Sequence, residues 1–473
     1  MKRPFCRLTL SLGLPVLLSA CTAGPNYQPP SQLANGATLQ GRFLRAGDAD
    51  TSAPIARWWV GLDDAELTRL IEQGLAAAPR IEAAEARVRQ ARAGLAGARA
   101  RLLPVVSGSV NYVYADLPNG ALGGSGGATD LLNAGFDTQW EIDLWGAKRR
   151  GVERSRAEAE AVAAQFDDIG LILSAEIART YVTLRMREAS LAQVASRQNI
   201  EARLLGYARQ RFDAGAASRQ PIETAAATLE RTGAEHAALD AECTVLRDEL
   251  AFLVGAPPGT MDKLGAAAIP LPPARVAVGD PSTLLMHRPD VRMAERRLAA
   301  ANAQIGVEAA RRFPSVTLLG LIGIGGQSGS DLFDVSQLAG IAAPRLSWSF
   351  LDFGRARAAR DVAAAASDGA LAQYREAVLA ALRDAEAALA RYGSARIAYG
   401  RTIDAAGHVR NIAGMQKLRA TAGALSEAGE LEAERQAIDA ELAAINGRGE
   451  LTLGYIVLVK ALGLGWSGEV DHP

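Results

Sequence analysis

The residue with the clearest chemistry is Cys21. Lys2, Arg3 and Arg7 precede an apolar run from Leu8 to Leu18, a charged start followed by a stretch too short to span a bilayer, which reads as a secretory signal. The run ends in Leu18-Ser19-Ala20-Cys21, which resembles the bacterial lipobox, where Cys21 becomes the acylated N-terminus after cleavage. Thr22 follows in place of an Asp, which by resemblance to sorted lipoproteins implies the outer membrane. Cys6 leaves with the signal, so Cys243 is the remaining thiol and no intrachain disulfide can form. Cys243 sits among Ala and Leu of a helical stretch and reads as a small buried hydrophobe.

The other chemistry-bearing residues do not assemble a catalytic pattern. His236, His287, His408 and His472 are widely spaced and lack His or Cys companions at metal-ligand separations. The glycines at 323, 325 and 326 have no helix after them to make a nucleotide-binding turn, and no nucleophile elbow or paired-carboxylate motif stands out. We expect no enzyme, no metal and no cofactor. A net charge of −1 over 473 residues gives no general attraction to nucleic acid.

Three carboxylates do have a pattern. Asp137, Glu141 and Asp143 alternate with Phe136, Trp140, Ile142 and Leu144 in a strand expected over Ala134 to Leu144. Val106, Gly108, Val110, Tyr112 and Tyr114 alternate with Ser107, Ser109 and Asn111 in the strand before it, across a Gly-rich connection from Gly120 to Gly127. Two more strands are expected over Ser315 to Gly325 and Arg345 to Phe350, with Leu319 and Leu321 on the nominally polar face. No mature stretch is long and apolar enough for a membrane helix, so a chain that spans lipid must use a closed β-barrel. Four strands fall short of the roughly eight in the smallest membrane barrel, and several chains must share it. The three acids then face a water-filled lumen as rings of carboxylates that favour cations, or line a plain solvated strand face; both fit.

The strands are set within a repeat of about 200 residues, well beyond solenoid periods of roughly 20 to 50. Pro79 matches Pro289 and Pro104 matches Pro314 at an offset of 210 (289 − 79). Trp140 matches Trp348, Arg211 matches Arg419, and Gly146, Gly215 and Gly255 match Gly354, Gly423 and Gly463 at an offset of 208 (348 − 140). Pro289 suits a first helical turn, Asp290 favours the positive end of the helix dipole, and Pro314 releases the chain into an extended run. The segment Arg288-Pro289-Asp290, Ala294-Glu295, Ala300-Ala301, Gln304-Ile305-Gly306 and Phe313-Pro314 resembles the signature of the outer-membrane efflux factor family of the TolC type, in its lipoprotein (NodT-like) branch.

That resemblance implies a mainly α protein with membrane β: a trimeric 12-stranded β-barrel, four strands per chain, continuous with a long periplasmic α-helical barrel. The sequence accommodates it. From Gly146 to Gln220 there is no proline, and a helix of that length would run on the order of 100 Å. Phe166, Ile169, Leu173, Ile177, Tyr181 and Leu184 recur at spacings of three and four, a packing seam. A partner helix from Pro221 ends near Leu253, and the second copy runs from Gly354 past Arg419, turns near Gly423 and returns to about Leu462.

The expected organisation is a lipoprotein signal over 1–20, a lipid-anchored extended tether over 21–56, repeats over 57–255 and 284–465, an equatorial linker over 256–283 and a tail over 466–473. Family channels close at the periplasmic tip, and the matching turns here carry Arg211, Asp213, Arg419 and Glu427, as an ion-paired gate or as solvated tip residues. Ala428-Gly429-Glu430 before Leu431 departs from the family's pattern there. The implied function is a passive export duct for small toxic compounds, taking them from an inner-membrane transporter through a periplasmic adaptor (membrane fusion) protein. An outlet for protein secretion and a lipid-anchored periplasmic coiled-coil adaptor remain alternatives.

Overall fold

The computed structural model describes residues 22–30, 43–45, 57–117, 127–276, 278, 281 and 288–464. Cys21, the signal, most of the tether, His287, His472 and the tail lie outside the described residues. In chain order the main elements are α1 (Ala65–Ala77), α2 (Pro79–Ala100), β1 (Val105–Leu117), β2 (Gly127–Ile142), α3 (Ala147–Asp213) and α4 (Gln220–Leu253). The second half gives α5 (Pro289–Ala310), β3 (Ser315–Gly326), β4 (Leu338–Ser347), α6 (Arg355–Thr421) and α7 (Glu427–Ala461).

The two halves repeat one plan. α2 and α5 each have 22 residues, and α3 and α6 each have 67. The glycine pairs at offset 208 all have left-handed backbones: Gly146 and Gly354 at φ 80° and 88°, Gly215 and Gly423 at 69° and 71°, Gly255 and Gly463 at 76° and 66°. A side chain is strained at such angles, so glycine marks the entry to each long helix, its reversal and its return.

Contacts divide the chain into two compact units, and each takes parts of both halves. The first (Met1–Pro30, Arg87–Ala163, Met293–Tyr374) holds an antiparallel sheet in the order β1-β2-β3-β4. The register pairs Val105 with Gln139, Trp140 with Leu318 and Ser315 with Ser347. β4 therefore corrects the expectation of a strand over Arg345 to Phe350. Pairing stops where β3 begins at Ser315, so Trp348 and Phe350 have no strand opposite them despite their alternation. Pro344 within β4 has no N–H to donate to a neighbouring strand.

The second unit (Ser31–Ala86, Ala164–Arg292, Arg375–Pro473) is helical. Leu173, Ile177, Tyr181 and Leu184 of the expected seam are wholly buried. Arg187 bonds Glu242 at 2.9 Å and Arg197 pairs with Glu235, so partners on α4 fall in number as those on α3 rise, and the helices run antiparallel. α7 also runs antiparallel to α3. Arg197 reaches Asp439 at 3.3 Å and Arg203 reaches Glu427 at 2.9 Å. The Tyr181 hydroxyl donates at 2.9 Å to Asp64, which caps α1 by accepting from the Leu67 N–H.

Arg288 of the signature segment has a local task here. Its guanidinium donates to the Ala461 carbonyl at 2.7 Å, one of the carbonyls left without an intrahelical partner at the end of α7, and is held by Asp290 at 2.7 Å. Gly463 lies against it, since a Cβ there would stand 2.8 Å from Arg288 Cγ.

Candidate functional site

The sheet has two chemically distinct faces. Residues paired across strands share a face, so Val106, Tyr112, Phe136, Trp140, Leu318, Ile322 and Leu346 all lie on one side. Val110, Tyr112, Phe136 and Leu346 there are each more than 60% exposed. That much uncovered apolar surface needs a non-aqueous neighbour. The opposite side carries Ser107, Asn111, Asp137, Gln139, Glu141, Thr317 and Arg345, with Val105, Val113, Leu131, Leu319, Leu321 and Ile341 among them. It carries an open depression of about 750 Å³ lined by Asp137, Gln139, Glu141, Arg101, Lys148 and Leu321 among others.

Two of the three expected acids stand on this concave face. Asp137 accepts from the Ser109 hydroxyl, and Glu141 lies 3.5 Å from the Lys148 ammonium. Asp143 does not, which corrects its assignment to the strand. It follows the end of β2 and caps α3, its carboxylate accepting from the backbone N–H of Lys148 at 3.0 Å and of Arg149 at 2.9 Å. Asp352 does the same for α6 by accepting from Gly354 and Ala356. The fixed alternation of a strand cannot reveal where the strand stops.

At the far end of the helices, Arg211 donates to the Ala216 carbonyl of its own turn at 3.2 Å, and Arg419 to the Gln416 side chain at 3.2 Å. Neither bridges to Asp213 or Glu427 within the chain. Glu427 pairs instead with Arg203, a residue the sequence reading missed. The two are 224 positions apart, and no local pattern signals a contact set by how α3 and α7 align.

The segment 22–30 is built into the first unit. The Ala23 N–H donates to the Trp145 carbonyl, Arg150 donates to Asn26 at 2.7 Å, and the Tyr27 hydroxyl donates to Glu295 at 2.5 Å. Burial and the Glu295 carboxylate hold the Tyr27 phenol well above its ordinary range. Gly24 has φ +84°, and a Cβ on Gly306 would stand 2.8 Å from the Ala23 carbonyl oxygen, so two glycines allow this close approach. The residues next to Cys21 are thus docked.

Among the described residues, no His, Cys, Asp or Glu cluster could hold a metal ion, and no helix is long and apolar enough to cross a membrane. Among the described residues, a sheet with one apolar face and two unpaired edges, continuous in sequence with helices of 67 residues, narrows the architectures sharply. The family model for outer membrane efflux proteins matches residues 70–256 and 281–464, both copies of the repeat.

The chain belongs to the outer membrane efflux protein family.

This efflux protein is 30% identical to nodulation protein T of Rhizobium leguminosarum bv. trifolii over 461 residues, 96% of each chain. It is also 30% identical to the pyoverdine export outer membrane protein OpmQ of Pseudomonas aeruginosa, over 96% of this chain and 97% of that one. Among solved structures, the outer-membrane channel OprN superposes with a TM-score of 0.84 at 31% identity, covering 94% of this chain and all of the other. The efflux protein is accordingly an outer-membrane protein with the β-barrel and α-helical-barrel fold of TolC-type channels.

Proposed function

We propose that three copies of this efflux protein close a 12-stranded barrel and act together as a passive duct for small toxic compounds. The observation that carries this reading is the sheet itself: among the described residues β1 and β4 are both long edges without a partner, and an open edge in lipid leaves backbone N–H and C=O groups unsatisfied. Pairing β4 of one copy with β1 of the next removes every edge. The face bearing Trp140 then meets lipid, and Asp137 and Glu141 line the lumen as rings that favour cations.

The duct takes its cargo from an inner-membrane transporter through a periplasmic adaptor protein that meets the helix turns carrying Arg211, Asp213, Arg419 and Glu427. It performs no catalysis and binds no cofactor. Acylation of Cys21 anchors the docked segment 22–30 in the same membrane. The kinship with a pyoverdine exporter supports a small-molecule cargo.

Reconstitution into a planar bilayer tests the reading. Purified protein should run as a heat-modifiable trimer and give discrete conductance steps with cation preference. A monomer that stays soluble without detergent and gives no steps would sink it.

A further inference from the structure

The connection between β3 and β4 is an ordered loop with an apolar tip. Gly329–Phe333 and Val335–Gln337 form two short 3₁₀ turns. The first is fixed by Asp331, which accepts from the Ser328 N–H and hydroxyl at 2.9 Å each, and the second by Asp334, which accepts from the Ser336 N–H at 2.9 Å. Phe333 and Val335 nevertheless stand 88% and 75% exposed. A loop this tightly bonded could have tucked two apolar side chains inward, yet it turns them out.

The side of the sheet on which the loop lies identifies what they face. Gly326 pairs with Leu132, which shares the face of Phe136 and Trp140. A Cβ on Gly326 would stand 2.6 Å from the Asp331 Cβ, so the loop folds onto that apolar face and away from the concave one. The height of the loop follows from the register. Tyr114 pairs with Asp130, ten positions from Trp140 (140 − 130). At a rise of roughly 3.4 Å per residue and a tilt of about 40°, these aromatics are separated by about 26 Å along the barrel axis, close to the apolar band of about 25 Å between aromatic girdles. Trp140 marks the helix-side girdle, and Tyr112 and Tyr114 the other. The loop lies beyond Ile324 at the end of the sheet that carries these tyrosines.

We propose that the β3–β4 loop is a membrane-contacting element that lays Phe333 and Val335 into the outer leaflet, extending the tyrosine girdle. The occupant is lipid, because the loop continues a lipid-facing surface, whereas a second copy joins through the strand edges. The proposal rests on the barrel reading given above.

The test uses the full-length protein in vesicles of phosphatidylethanolamine and phosphatidylglycerol, with Cys243→Ala removing the buried thiol. Spin labels are placed singly at Phe333→Cys and Val335→Cys, with Phe136→Cys as the lipid reference and Gln139→Cys as the lumen reference. Collision with oxygen relative to a water-soluble nickel chelate should be severalfold higher at 333 and 335 than at 139, approaching the value at 136. Values at both loop sites equal to that at 139 would overturn the proposal in favour of a water-facing loop. Shielding from both reagents would overturn it in favour of a protein contact. If 136 itself behaves like 139, the barrel reading fails and takes the loop with it.

Discussion

The indole N–H of Trp140 donates to the carbonyl oxygen of Leu102 at 2.9 Å. The second half repeats the bond, with Trp348 donating to Arg312 at 3.1 Å. In both, an aromatic side chain on or just past a strand satisfies a carbonyl in the turn that leaves the short helix. Trp140→Phe keeps an aromatic side chain but removes the donor together with the five-membered ring that carries it, which should cost at least the roughly 1 kcal/mol of the hydrogen bond. Trp348 is 56% exposed, so water can replace its bond and Trp348→Phe should cost less. Shifts in urea midpoint at constant slope would measure both, and equal losses would contradict the assignment.

Phe136 and Glu141 test the two faces of the sheet. Phe136 lies between the two aromatic girdles on the apolar face, where a lysine near mid-bilayer costs about 2 to 4 kcal/mol. Glu141 is half exposed on the concave face, so Glu141→Lys stays hydrated, although it meets the nearby Lys148 charge. Phe136→Lys should sharply lower the yield of heat-modifiable trimer in the outer membrane, and Glu141→Lys should leave it near the parent level. Equal yields would reverse the faces.

Gly306→Ala should release the docked segment 22–30. The new methyl would stand 2.7 Å from Arg150 Cγ and 2.8 Å from the Ala23 carbonyl, displacing the arginine that holds Asn26. Gly97 has no atom within 4 Å of a Cβ, so Gly97→Ala is the control and should stabilise its helix by up to about 1 kcal/mol. Limited proteolysis should cut the N-terminal segment faster in the first variant only.

The pair between Arg203 and Glu427 is more than half exposed on both sides and contributes about 0 to 1 kcal/mol. In the proposed trimer, three such pairs would hold the tip only weakly. Arg203→Ala with Glu427→Ala should raise single-channel conductance, and added salt should reproduce part of the rise beyond bulk conductivity. Arg211→Ala with Arg419→Ala should change conductance little, because those guanidinium groups bond within their own turn or helix. The opposite ranking would place the ion-paired gate at Arg211 and Arg419 instead.

Asp167 gives a pH dependence. Burial pushes its carboxyl up to about 6, against the pull of Arg292. A raised folded value means the ionised form is disfavoured on folding, so its contribution is fully favourable below the ordinary value near 3.8 and is lost as pH rises through about 6. Asp167→Asn should therefore raise the melting temperature at pH 7.5, with the gain shrinking steadily toward pH 4. A gain independent of pH would assign the effect to packing.

The element order, the two-fold plan and the apolar side of each strand were legible in the residues alone. These rest on short-range signals: proline at a helix start, glycine where the backbone must turn left-handed, and alternation at a period of two. Trp140, Ile142, Val316 and Leu318 were assignable to one face of their strands in this way. Other features depend on where distant segments stop and meet, and they emerged only from the folded chain. β4 ends at Ser347 because β3 begins opposite it, Asp143 became a helix cap because β2 ends one residue earlier, and Glu427 found Arg203 because α3 and α7 pack antiparallel. None of these leaves a trace in neighbouring residues, since a side chain's periodicity records which way it points but not which surface, helix end or charge is brought to meet it.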